Sequence, residues 1–64
     1  MTSRKHYRIA ASALATARRK AERLESDVKG EALAIIDELE ANLINLFAGD
    51  NPRFSVTLFM QAAK

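Results

Sequence analysis

The side chains in this chain best placed to do chemistry are its cations. Arg4, Lys5, Arg8, Arg18, Arg19, Lys20 and Arg23 crowd the first 24 residues. Clustered Lys and Arg on a rigid element are enough to contact phosphates. Winding this stretch into a helix sets Lys5, Arg8, Ser12, Arg19 and Arg23 broadly on one side, which makes Arg8, Arg19 and Arg23 candidate partner-binding residues. Nucleic acid is therefore a possible partner. Two features weigh against it. The sequence has no pair of short helices around a Gly turn, and its acidic second half would lie beside the basic one and dilute its field. A solvated face paired with the acidic helix is the preferred reading.

Catalytic chemistry finds little support. His6 sits between Lys5 and Tyr7 with no Asp or Glu within one helical turn, which leaves a general base without an orienting partner. Ser3, Ser12, Ser26 and Ser55 have no recognisable activating neighbour. Glu31 and Glu38 are seven residues apart, too far for two carboxylates to share a small site. There are only 2 Gly, so no Gly-rich phosphate loop. With 0 Cys and 1 His, neither a disulfide nor a zinc site can be built. The expectation is a protein that is not an enzyme, with no cofactor, no metal and no small-molecule substrate.

Sixty-four residues form one domain at most, and a chain this short leaves much of its surface in water when folded. Small domains gain stability from disulfides, a metal or a partner chain, and here only the last remains. Arg4, Lys5 and Arg8 before Ile9–Ala17 superficially copy a leader peptide. That run holds only Ile9 and Leu14 as strong hydrophobes, so a cytoplasmic protein is expected. No stretch approaches the roughly 18 to 20 apolar residues that span a bilayer, so no membrane role is expected. The net charge of +2 hides a division. Residues 1–24 carry seven Lys/Arg against Glu22, a net of +6, and residues 25–50 carry seven Asp/Glu against Lys29, a net of −6.

The elements that would position these groups are helices. Ser3 is placed to cap a helix over about 4–28, in which Tyr7, Ala10, Leu14, Ala17, Ala21, Leu24 and Val28 recur at spacings of three and four. Lys29-Gly30 reads as its end. A second helix over about 31–48 carries Ala32, Leu33, Ile36, Leu39, Leu43, Leu46 and Phe47 as its inward stripe. So short a link makes the two an antiparallel hairpin. Gly49 is expected to end the second helix, and Asp50, Asn51, Pro52 and Arg53 to form a structural turn. Ser55 then caps a short helix over about 55–63 whose Val56, Phe59, Met60 and Ala63 share a face, with Phe54 stapling its start. Around residues 43–47 the second helix is apolar almost all round. With Ile35 and Leu58 also off the main faces, the chain has more apolar side chains than one hairpin can hide. Ile44, Phe47 and Leu58 are therefore candidate contacts to a second copy or another protein.

The run Asp50-Asn51-Pro52-Arg53-Phe54, followed by Phe59-Met60 and Ala62-Ala63, resembles the C-terminal signature of small uncharacterised proteins of tailed bacteriophages and prophages. Lys5-His6-Tyr7, with Ile9-Ala10 and Leu14, is similar to their start. In that family Asp follows the Phe, an Arg stands where this chain has Leu58, and Cys-Gly is usual where this chain has Ala63-Lys64. Ser55 in place of Asp still caps a helix. Leu58 exchanges a charge for apolar surface, and no thiol role carries over. The resemblance covers about a third of the residues, at both ends, and implies phage origin without a mechanism.

The sequence thus leads to an all-α, dimeric, single-domain protein. The function it suggests is that of a phage-encoded accessory protein in the host cytoplasm. It would bind and inhibit a host protein, such as a defence nuclease or a regulator. The alternative is a small nucleic-acid-binding regulator using the basic face of the first helix.

Overall fold

The computed structural model describes residues 3–64. Three helices follow one another: α1 (Arg4–Ala21), α2 (Ser26–Asp50) and α3 (Val56–Ala62). The fold is all-α. Near the start of α1, Tyr7 stacks on Phe47 close to the end of α2, while Arg18 further along α1 reaches Asp37 and Glu40. The two long helices therefore run antiparallel, and α3 folds back against α1 and α2. The long dimension of 39 Å is set by α2 alone, whose 25 residues span about 37 Å.

The hairpin bends earlier than the apolar spacing implied. α1 stops at Ala21, residues 22–25 link, and α2 begins at Ser26, so Leu24 and Val28 do not continue the first seam. The electrostatics of the two helix ends explain the position. Arg18, Arg19 and Lys20 occupy the last turn of α1, where carbonyls are unpaired, and Asp27 occupies the first turn of α2, where amides are. The break falls where the chain changes from basic to acidic. Gly30 is consequently inside α2 and not a cap.

The other end of α2 also departs from expectation. No glycine has a positive φ, and Gly49 continues the helix to Asp50. Pro52 stops it. A proline forces the residue before it out of the helical region, and Asn51 sits at φ −140°, ψ 112°. The Asn51 side-chain oxygen then accepts from the Arg53 amide at 3.0 Å, and its carbonyl accepts from the Phe54 amide at 3.0 Å. Ser55 caps α3 as its type and position required, accepting from the Leu58 amide at 3.2 Å. Ser3 occupies the N-cap of α1, but its hydroxyl is hydrogen-bonded to His6 Nδ1 at 2.9 Å and not to a backbone amide.

The core consists of Ala11, Leu14, Phe47, Phe59 and Ala63, with Tyr7, Ala10, Ile36, Leu43, Ile44 and Phe54 packed against it. Small Ala side chains on α1 let α3 approach closely. The single Tyr and the three Phe form one aromatic cluster, with ring centroids 4.8–5.6 Å apart in tilted or edge-on pairs. On α2 the inward stripe differs from the expected one. Ile36, Leu43, Ile44 and Phe47 face the core together with Glu40, whereas Leu39 and Leu46 are 51% and 64% exposed. Phe59 on α3 and Ala63 at its C-cap are buried as expected, but Val56 and Met60 stay 39% and 41% exposed.

Candidate functional site: an arginine-rimmed groove

The start of α1 meets the turn after α2 and α3 in space. Ser3, Arg4, Tyr7, Arg8 and Ala11 from α1 face Asn51, Arg53, Phe54, Ser55, Leu58, Phe59 and Ala62 from the turn and α3 across a groove of about 670 Å³. Its position follows from local causes already described. Pro52 turns the chain back, the Asn51 side chain fixes the turn, and the Ser55 cap starts α3 beside α1.

The groove has three guanidinium groups, Arg4, Arg8 and Arg53, and no acidic side chain lines it. Its apolar part is formed by Tyr7, Phe54, Leu58 and Phe59. Arg4 is also the first residue of α1, where the helix dipole adds positive potential. The Tyr7 hydroxyl is buried and has no hydrogen-bond partner among the described residues. Such a set favours a ligand with carboxylate or phosphate groups, which Arg grips in planar, two-point fashion, next to an apolar group.

The sequence-derived residues are distributed over three places. Arg8 and Leu58 line the groove, and Leu58 is 66% exposed. Phe47 lies beneath it, 7% exposed and stacked against Tyr7 and Phe54, while Ile44 packs against the core. Neither Ile44 nor Phe47 offers the free apolar surface that their off-stripe position suggested. Arg19 and Arg23 are exposed at the far end of α1 and its linker, and Arg19 donates to Thr16 Oγ1 at 3.2 Å. Asp50 is the last residue of α2, and Asn51, Pro52, Arg53 and Ser55 form the turn.

Sequence reasoning missed Arg18. It was grouped with the solvated cations, yet it turns inward. Nη1 donates to Asp37 at 2.7 Å, Nη2 donates to Glu40 at 2.9 Å, and Nε donates to the Ala63 carbonyl at 3.2 Å. The hydrogen bond to Asp37, followed by the charge of Glu40, holds the guanidinium even more firmly protonated than usual against the opposing effect of burial. This one side chain ties α1 to α2 and to the end of α3. The available signal was its place on the face of Ala11, Leu14 and Ala21. A further ion pair, Lys29 with Glu22 at 3.0 Å, closes the linker over the start of α2.

Ser3 and His6 are in contact, but the pair is exposed and local, and among the described residues no carboxylate bonds the imidazole. An activated hydroxyl needs a base that is itself oriented by a third group. Among the described residues no cluster of His, Asp and Glu could hold a metal ion, and no helix is long and apolar enough to cross a membrane. No protein-family model, no curated protein and no solved structure matches this chain.

Proposed function

We propose that this chain is a small accessory protein of a tailed phage or prophage that acts in the bacterial cytoplasm as a pair of identical copies. It binds a host protein and inhibits it, without catalysis and without a cofactor. The observation that carries this reading is the groove, with three arginines around an apolar floor and no acid among its lining residues. The occupant is an acidic segment of the host protein that presents an apolar side chain between carboxylates. A defence nuclease or a transcriptional regulator would be blocked by contact, or held in one state. A net-positive chain is not an imitation of DNA.

The test is affinity capture from host lysate with identification of what is retained. Arg8→Glu with Arg53→Glu should weaken binding by about a hundredfold, because each reversal leaves a carboxylate facing a carboxylate. Leu58→Glu should weaken it too, and Ala34→Glu, at an exposed position away from the groove, should not. Capture unchanged by the groove substitutions would defeat the reading. If nucleic acid is retained instead, with a steep salt dependence removed by Arg19→Glu and Arg23→Glu, the regulator alternative takes its place.

A further inference from the structure

α2 has a second apolar face that none of the described residues covers. Val28, Ile35, Leu39 and Leu46 are 45%, 60%, 51% and 64% exposed. With Ala32 and Asn42 they follow one another at spacings of four, three, four, three and four, over 18 residue steps or about 27 Å. Steps that alternate between four and three keep all six on one narrow stripe of the helix, the pattern of a coiled-coil seam. The seam lies about a quarter turn round α2 from the Ile36, Leu43 and Phe47 line that faces the core. A second helix can therefore dock there without displacing α1 or α3.

We infer that the occupant is a second copy of this chain, with the two α2 helices side by side, parallel and in register. The inference rests on the self-association proposed above and adds which face meets which, and in what direction. Asn42 and the flanking charges decide the direction. In a parallel pair Asn42 lies opposite Asn42 of the second copy, so that the two amides can bond each other and neither is left against an apolar side chain. Glu31 and Glu38, which flank the seam, then lie opposite Ile36 and Leu43 of the other copy and meet no like charge. An antiparallel pair that matches the large side chains would set Asn42 against Ala32 and Glu38 against Glu38. Height along the bundle supports the same choice. Arg18 is level with Asp37 and Glu40, so Arg19 and Lys20 lie between the heights of Glu31 and Glu38. In a parallel two-fold pair the basic α1 of one copy stands level with the acidic flank of the other.

The chain has no Cys, so Asn42→Cys gives a single, unambiguous thiol. Under mild oxidation this variant should form a covalent dimer almost completely, since residues facing across a parallel seam come within disulfide range. In the antiparallel pairing the same thiols would be about 15 Å apart. Light scattering should give twice 7.1 kDa for the wild type and 7.1 kDa for Leu39→Glu, with Ala34→Glu, on the opposite side, still paired. Leu39 is half exposed in one chain, so Leu39→Glu should keep its helical circular dichroism. A monomeric wild type at about 1 mM would overturn both the self-association and this interface. A dimer that survives Leu39→Glu would overturn the interface alone, and a Leu39-dependent dimer without the cross-link would overturn the parallel direction.

Discussion

Replacing Arg18 should cost this protein more than replacing any of its other cations. Its side chain is 19% exposed and holds three acceptors on three segments: Asp37, Glu40 and the Ala63 carbonyl. Asp37 is 65% exposed, so water can replace that contact at little cost. Glu40 is different. Its side chain is 11% exposed, and Arg18→Ala leaves a carboxylate in the protein interior facing a void. Breaking a buried pair by removing one partner costs about 3 to 5 kcal/mol. Partial exposure at this site argues for the lower figure, about 3 kcal/mol. The whole stability of a chain this size is about 3 to 10 kcal/mol, so the variant should be close to unfolding at 25 °C. In a thermal melt at fixed protein concentration the midpoint should fall by roughly 12 to 24 °C. The double variant Arg18→Met with Glu40→Leu removes both charges and fills the space, and should recover most of the loss. Urea denaturation followed by helical circular dichroism of the wild type, Arg18→Met, Glu40→Leu and the double variant, arranged as a double-mutant cycle, gives the coupling directly. The reasoning fails if Arg18→Ala loses less than about 1 kcal/mol, or if the double variant is no better than the single one.

Four further outcomes follow from named local features. Gly30 and Gly49 lie inside α2 with negative φ and open space where a side chain would begin, so Gly30→Ala and Gly49→Ala should each raise stability by about 0.5 to 1 kcal/mol in urea. A loss at Gly49 would show that the residue serves as a helix end after all. Ser55→Ala should cost about 1 kcal/mol by removing the cap of α3, while Ser55→Asp should keep the wild-type midpoint. Tyr7→Phe removes a buried hydroxyl with no partner among the described residues, and the expected change is zero or a gain of up to about 1 kcal/mol. A clear loss would mean that the hydroxyl is bonded in solution. Asn51→Ala should weaken the turn, read as faster hydrogen exchange at the amides of Arg53 and Phe54 than in the wild type.

How much of this was legible in the residues depended on whether a signal was local. Pro52, Asn51 and Ser55 act on their immediate neighbours, and the turn and the cap of α3 lie where their chemistry places them. The end of α1 was not legible. Residues 22–28 contain no breaker, and the turn there reflects the match of charge to two helix ends, which only the folded hairpin displays. The faces of α2 were ambiguous for a stated reason. The helix carries one apolar line at 33, 36, 43, 44 and 47 and a second at 28, 35, 39 and 46, and reading them as one stripe put Leu39 and Leu46 inside. The inward turn of Arg18 and the convergence of both chain ends on one groove are long-range facts. Spacing along the chain carries no trace of Tyr7 meeting Phe54.

The central claim is that α2 has two working faces, one buried by its own chain and one by a second copy. Sedimentation equilibrium on the full chain, from micromolar to about 1 mM, addresses it most directly. The expected mass rises to twice 7.1 kDa for the wild type and remains at 7.1 kDa for Leu39→Glu. A wild type that stays at 7.1 kDa throughout, with the same helical signal, would contradict it.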